Sequence, residues 1–363
     1  MTLAFRFFLL TCLYLPDVFG QQVEWICYFN QEQSTGRLSK TWIGPEGDIY
    51  VNVIQSSYSK RESYTNLVHV SSGGEAKTIL SNKFQGGIGM LFPMTDGHYL
   101  SDGIQEDPDQ KTRRRFRLLD SDGKPIAHTE PMIGKIYGRL QNGNEYIWLN
   151  SPSEGFGIHD FYITRASNSF DVHLDTVSLK SIWIDSMGIT DHSMDPVMLE
   201  DKSISISGLY GFTGNLEFTG MSPNNGVVFN IKDGQVAWKY PLTLSLDKLE
   251  AIAANRNFTW ALFASPKRVR TLVKINENGK AVLNRDIHLP YSVVNFILLD
   301  KKIILLGPSS IYIYSLQCKL LGEYSLGEYS ISDFKDIIPL SEDSFIVTGT
   351  KMNQIAVVKM KLL

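Results

Sequence analysis

Apolar and polar residues alternate in short runs along most of the chain, and the runs recur. Leu67-Val68-His69-Val70 leads into Ser72-Gly73-Gly74, Phe116-Arg117-Leu118-Leu119 into Asp120-Ser121-Asp122-Gly123, and Leu272-Val273-Lys274-Ile275 into Asn276-Glu277-Asn278-Gly279. Phe161-Tyr162-Ile163, Val227-Val228-Phe229-Asn230-Ile231, Ile311-Tyr312-Ile313-Tyr314 and Ile355-Ala356-Val357-Val358 bring the set to seven copies. Period-two alternation closed by Gly, Asn or Asp marks a strand running into a hairpin turn.

A second phrase, a turn followed by another strand, precedes every copy: Gly47-Asp48-Ile49-Tyr50, Asp96-Gly97-His98-Tyr99, Gly143-Asn144-Glu145-Tyr146-Ile147, Asp201-Lys202-Ser203-Ile204, Asn257-Phe258-Thr259-Trp260, Asp300-Lys301-Lys302-Ile303 and Glu342-Asp343-Ser344-Phe345. The copies start about 39 to 66 residues apart, about 48 on average, which is the period of a propeller blade. The two phrases are then strands b and c of four-stranded blades. Runs before b, such as 136–140, 293–299 and 337–340, are inner strands a; runs after c, such as 236–244, are outer strands d. The chain stops soon after the seventh strand c, while an apolar strand at 23–29 is left over at the front. The fold class expected is therefore all-β, a seven-bladed β-propeller, its ring closed by the N-terminal strand joining the last blade, because closure removes two open sheet edges. A β-sandwich with extra strands is the competing arrangement. No helix-period stretch and no Gly/Ser-rich or Pro-rich linker interrupts the pattern.

Phe116 to Lys124 and Leu272 to Lys280, with Asp-x-x-Gly and Asn-x-x-Gly closing strand c, make the chain resemble the seven-bladed β-propeller superfamily, in particular secreted bacterial propellers with degenerate blade repeats. The resemblance concerns architecture only. The copies lack the Trp-Asp ending of WD repeats and any repeated catalytic signature, so the fold carries no function with it.

Residues 1–20 read as an address: one cation at Arg6, an unbroken apolar run 7–15, Pro16, then Val18 and Gly20 before a cut at Gln21. The run is shorter than the roughly 20 residues of a membrane span, and Cys12 lacks the surroundings of a lipidated cysteine. The expectation is a signal peptide at 1–20, a single β-propeller domain at 21–363, secreted or periplasmic localisation, and no transmembrane anchor after processing. Only Cys27 and Cys318 then remain, on outer strands of different blades, where two unpaired thiols fit the divergence of the blades. A formal net charge of −3 provides no field for phosphate backbones, so no nucleic acid is expected.

The b-to-c connections of blades 1 to 4, about 55–66, 104–115, 151–160 and 210–226, are long, and those of blades 5 to 7 short. Long loops on a rigid scaffold are where binding sits. They carry Tyr58, Arg61, Tyr64, Arg113, Arg114, Phe156, His159, Asp160, Tyr210 and Phe212, flat rings for stacking or anchoring and guanidinium forks for carboxylates. Rings that merely pin each loop to its own blade are the plainer reading. Asp185, Asp191, His192 and Asp195 are weak metal candidates; their spacing matches no calcium loop, and no metal or cofactor is expected. Gly-x-Ser-x-Gly, His-Glu-x-x-His and a Walker loop are absent. The run 111–117, with five cations, reads as a solvated loop and strand edge, and Asn257-Phe258-Thr259 is an N-glycosylation sequon.

The reading that follows is an exported, monomeric recognition or scaffold module that binds a protein or glycan through the long-loop face of blades 1 to 4. The alternative is an extracellular carbohydrate-active hydrolase or lyase working at the central channel, with Asp185 and Asp191 as acid or base. The two separate on whether carboxylates, or a histidine and a carboxylate, converge at the channel. A periplasmic assembly factor that binds only protein is a third option and predicts an exposed apolar patch.

Overall fold

The computed structural model describes residues 21–362 except 31–36, 45, 58–61, 86–88, 95, 107–111, 130–135, 143–144, 151–159, 167–171, 179–186, 190–195, 213–224, 241–247, 266–268, 300 and 353. The expected signal peptide lies outside the described residues.

Seven antiparallel sheets follow one another along the chain. Blade 1 is built from Arg37–Ile43, Ile49–Ser57, Glu62–Val70 and Ala76–Gln85, and blade 2 from Leu91–Pro93, Tyr99–Ser101, Arg117–Leu119 and Pro125–His128. Blade 3 takes Ile136–Asn142, Glu145–Asn150, Asp160–Ala166 and Val172–Ser178. In blade 4 two short inner pieces, Met187–Ile189 and Pro196–Met198, share the partner Ile204–Phe212, followed by Asn225–Lys232 and Gln235–Tyr240. Blade 5 is Lys248–Asn255, Phe258–Ala264, Arg270–Ile275 and Ala281–Ile287; blade 6 is Asn295–Leu299, Lys302–Leu306, Ser310–Ser315 and Leu320–Ser325. Blade 7 is Ser332–Pro339, Ser344–Lys351 and Gln354–Leu362, and its outer strand is Gln21–Asn30, paired antiparallel from Gln21 opposite Leu362 to Asn30 opposite Gln354. Both strand phrases read from the sequence fall on strands b and c in every blade.

Turn chemistry explains why the chain reverses where it does. Asp120 accepts the backbone N–H groups of Asp122 (3.0 Å) and Lys124 (2.8 Å), and Asn276 those of Asn278 and Lys280 (both 3.0 Å). The residue closing each of these turns is left-handed, Gly123 at φ 81° and Gly279 at φ 72°, a conformation glycine adopts freely. Blade 6 makes the same turn with Ser315 as acceptor and Cys318, at φ 65°, in the glycine's place.

Strands b and c are covered on both faces by neighbouring blades, so they read as continuous apolar runs. Ile147 to Leu149, Ile303 to Leu306 and Phe345 to Val347 are all buried. Among the described residues, an apolar cluster fills every junction between blades. Blades 1 and 2 share Leu67, Phe84, Leu91 and Leu119; blades 3 and 4 join Ile147 and Leu149 to Ile206 and Phe229; blades 7 and 1 share Ile346, Ile355 and Val357 with Val51, Val53 and Val68. The remaining junctions are filled in the same way, so the core is an unbroken belt around the ring. Cys27 and Cys318 are both free, as the divergence of the outer strands implies.

Candidate functional site

A meander of this kind sends its a–b and c–d turns to one face and its b–c and d–a connections to the other. The second face is stepped. In blade 1 most of the stretch expected as a loop is strand: Gln55 pairs with Tyr64 and Ser57 with Glu62, and the outer strand follows alongside, Lys83 opposite Tyr64. In blade 2 the expected loop holds a further hairpin, Ile104–Glu106 with Thr112–Arg114, which packs on the outer strand of blade 1. Arg113 stands opposite Gln105 and Arg114 opposite Ile104. Tyr210 and Phe212 also lie on strand, opposite Asn225 and Met187. Tyr58, Arg61, Phe156 and His159 lie outside the described residues, as do the metal candidates Asp185, Asp191, His192 and Asp195. Among the described residues no three His, Cys, Asp or Glu side chains group as a metal site.

Blades 5 and 6 end lower on this face, their strands b running only Phe258–Ala264 and Lys302–Leu306, while the blade 7 hairpin, Ser344–Lys351 with Gln354–Leu362, is nearly as long as that of blade 1. Blade 6 turns through Gly307-Pro308-Ser309 and blade 7 through Met352, while the 5–6 connection carries Tyr291. Tyr291 is 56% exposed, Met352 91%, and Tyr64 on the raised side 39%.

The inner strands enclose a central cavity of about 510 Å³, lined from blades 1, 3, 4, 5, 6 and 7. Buried polar hubs hold its wall. Asp336 on blade 7 accepts the Thr41 backbone N–H (3.1 Å), Asn295 Nδ2 (3.2 Å) and its neighbour Ile337 N–H (3.0 Å), joining blades 6, 7 and 1. Asp102, wholly buried at the end of strand b of blade 2, accepts Arg139 Nε (2.6 Å), Trp148 Nε1 (2.8 Å) and the Met90 N–H (2.8 Å). Asn52 grips the inner strand of blade 2 both ways, donating to the Leu91 carbonyl (2.8 Å) and accepting its N–H (2.9 Å). That inner strand is only three residues long, and Gln141 of blade 3 reaches past it to blade 1, accepting the Ile43 N–H (3.1 Å) and donating to the Ile43 carbonyl.

Around these hubs Trp42, Phe92, Phe116, Tyr146 and Trp148 stack tilted or edge-on, Phe116 and Trp148 with centroids 4.5 Å apart. Tyr146 donates its hydroxyl to the Pro93 carbonyl (2.6 Å), and burial, assisted by Tyr50, pushes its phenol far above the usual range. Sequence reasoning misses Asp102, Asp336, Arg139 and Gln141; their only trace is a polar residue interrupting an apolar run, as Asp336 does before Ile337-Ile338.

Among the described residues the cavity wall holds one carboxylate, Asp336, whose oxygens are already engaged. The histidine–carboxylate pairs sit elsewhere. His69 meets Asp48 at 3.0 Å and His98 meets Asp96 at 2.7 Å, both at hairpin turns of blades 1 and 2. Desolvation works upward on Asp96, but the hydrogen bonds and charge of His98 outweigh it and hold the carboxyl below its usual range.

Seven four-stranded blades around one cavity decide the architecture. The fold is a seven-bladed β-propeller, and solved WD40 propeller domains share it. The chain is similar to the WD40 domain of Pan2 from Neurospora crassa, with 7% identity and a TM-score of 0.53 over 95% of this chain and 96% of that one. It is similar also to the WD40 β-propeller domain of Doa1, with 10% identity and a TM-score of 0.55 over 94% and 97% of the two chains. At such identities the likeness is one of fold alone. No family model and no curated protein matches the sequence. Among the described residues no helix is long and apolar enough to cross a membrane.

Proposed function

We propose that the chain is an exported protein-interaction module whose partner seats on the stepped face, against the raised edge of blades 1 and 2 and over the lower floor of blades 5 and 6. The height difference carries this reading. A rigid ring with one tall side offers a partner a floor and a wall at once, and rigid scaffolds lose little entropy on binding. Tyr64, Tyr291 and Met352 provide exposed apolar contacts on the two levels, aromatic anchors being common hot spots. Arg113 and Arg114 belong to the hairpin beside the wall and suit a partner that presents carboxylates. Tyr58, Arg61, Phe156 and His159, which stand between strands b and c in the sequence, and Tyr210 and Phe212, at the end of strand b of blade 4, are assigned to the same face as part of this proposal. The single, fully engaged carboxylate of the cavity wall gives a hydrolase nothing to use as an acid–base pair among the described residues.

The test compares the intact protein as bait with its Tyr64→Ala and Arg113→Glu/Arg114→Glu variants, thermal stability being measured alongside. A partner captured by the wild type and lost by at least about tenfold, roughly 1.4 kcal/mol, from either variant at unchanged melting temperature supports the reading. A partner held equally by all three, or lost only by changes on the opposite face, overturns it.

A further inference from the structure

One motif of the sequence lies away from the stepped face. Asn257-Phe258-Thr259 is the single Asn-x-Ser/Thr triplet in the chain, and it occupies the a–b reversal of blade 5, on the opposite face. Asn255 pairs with Phe258, so Arg256 and Asn257 are the two residues of the hairpin turn. Arg256 sits there at φ 52°, and its carbonyl accepts the Glu200 N–H of blade 4 at 3.0 Å, which fixes the turn against its neighbour. Asn257 is half-buried, with its amide oxygen inward: Oδ1 is enclosed and has no hydrogen-bond partner among the described residues. The other edge of the amide, Nδ2, is the atom to which a sugar is attached, and it is left accessible and engaged by no described residue.

Beside Asn257 a cleft of about 350 Å³ opens between the turns of blades 4 and 5. Its rim carries Asp201 and Lys232 from blade 4 and Glu277 and Asn278 from blade 5, all exposed. A first sugar has room there without displacing core, and its hydroxyl and acetamide groups meet carboxylate, ammonium and amide partners. Thr259, the other half of the motif, is hidden by the fold. It is wholly buried, and its hydroxyl lies 2.6 Å from Ser205 Oγ of blade 4. The hydroxyl at the third position is part of what marks the acceptor. The triplet is therefore legible to a transferase only before blades 4 and 5 close on each other, whereas Asn257 stays open to solvent and keeps its sugar after closure.

We propose that Asn257 carries an N-linked glycan, attached before the chain folds. The donor is a lipid-linked oligosaccharide pyrophosphate. Asn257 Nδ2 bonds to the anomeric carbon of its first N-acetylhexosamine, the bond from that carbon to the pyrophosphate oxygen breaks, the lipid pyrophosphate leaves with the electron pair, and one amide proton passes to solvent. The inference rests on the reading that the chain is exported, by a secretory route that holds such a donor. A glycan at this turn covers the face opposite the stepped one and leaves the stepped face clear for its partner.

The experiment expresses the full chain in cultured insect cells, once with its own residues 1–20 and once with these replaced by the leader of a secreted protein, and treats the product with peptide N-glycosidase. The secreted protein should lose mass on treatment, and mass spectrometry should find the Asn257→Asp conversion that the enzyme leaves behind. Asn257→Gln should abolish the mass loss and Thr259→Ser, which keeps the hydroxyl, should retain it. Folded protein made without a glycan should gain none when incubated with the membrane-bound transferase and its donor. A protein secreted behind either leader with Asn257 unmodified, a mass loss that persists in Asn257→Gln, or ready glycosylation of the folded protein overturns the proposal. Secretion only behind the foreign leader, with Asn257 glycosylated, overturns the export reading and supports the site. Should Asn257→Gln not fold, the conversion at Asn257 in the wild type decides alone.

Discussion

Asp102 shows how much one buried carboxylate can carry. It is wholly inaccessible and answers a guanidinium, an indole N–H and a backbone N–H at once, tying the end of strand b in blade 2 to the inner and second strands of blade 3. Asp102→Ala should destabilise the fold by about 3–5 kcal/mol, because it leaves the largely buried Arg139 guanidinium without its carboxylate and strips the partner from the Trp148 indole N–H. Asp102→Asn keeps the shape and one acceptor oxygen and should cost clearly less. Chemical denaturation of the two variants orders them, and equal losses would mean that the charge on Asp102 is irrelevant. None of this is legible in the sequence. Asp102 and Asp336 stand there only as polar residues beside apolar runs, and their role exists only once strands far apart in the chain lie side by side.

At the level of elements, the strands are legible because their ends are chemically marked. Asp120 and Asn276 each gather two N–H groups, and glycines close the turns, so the a–b and c–d reversals announce themselves residue by residue. The extension of blade 1 reads as loop because Gln55, Ser56 and Ser57 opposite Glu62, Ser63 and Tyr64 show no apolar alternation; pairing there follows from continuation of the ladder and not from burial of one face. The short inner strand of blade 2 is hidden for the opposite reason. Leu91-Phe92-Pro93 is apolar enough to be any core segment. The N-terminal strand is the element on which the ring depends most. Val23, Ile26 and Tyr28 pack into the blade 6–7 core and Cys27 into the blade 7–1 core, while Trp25 donates its indole N–H to the Ser72 carbonyl of blade 1 at 3.0 Å. Removing residues 21–30 forfeits burial worth about 5–10 kcal/mol, as much as a typical domain's whole stability, and bares Gln354–Leu362 as an edge. The truncated chain should aggregate on refolding, and a synthetic peptide of residues 21–30 supplied in trans should restore a soluble monodisperse species by size-exclusion chromatography. A truncated chain that melts like the intact one would show that closure is dispensable.

The molecule as a whole carries many tyrosines whose ionisation the fold opposes. Burial pushes Tyr314 up to about 12 and raises Tyr50, Tyr99, Tyr240 and Tyr312 as well. An unfolded tyrosine ionises near pH 10. Between that value and the folded one the native state holds more protons than the unfolded state, so stability falls as pH rises; below about pH 10 the contribution is fully present. Denaturation midpoints should therefore be flat with respect to these groups up to about pH 10 and drop steeply from there towards pH 12, with tyrosinate absorbance and loss of β-sheet signal rising together. Tyrosinate appearing near pH 10 in a chain that stays folded would contradict this.

The reach of Gln141 across to Ile43 gives the ring a bypass. Pull on blade 1, and the load passes to blade 3 through a side-chain amide clasp, with blade 2 slung beneath it like a pendant on a closed chain. Insertions, losses or remodelling in the b–c connection of blade 2, where the arginine hairpin sits, can then occur without opening the circle.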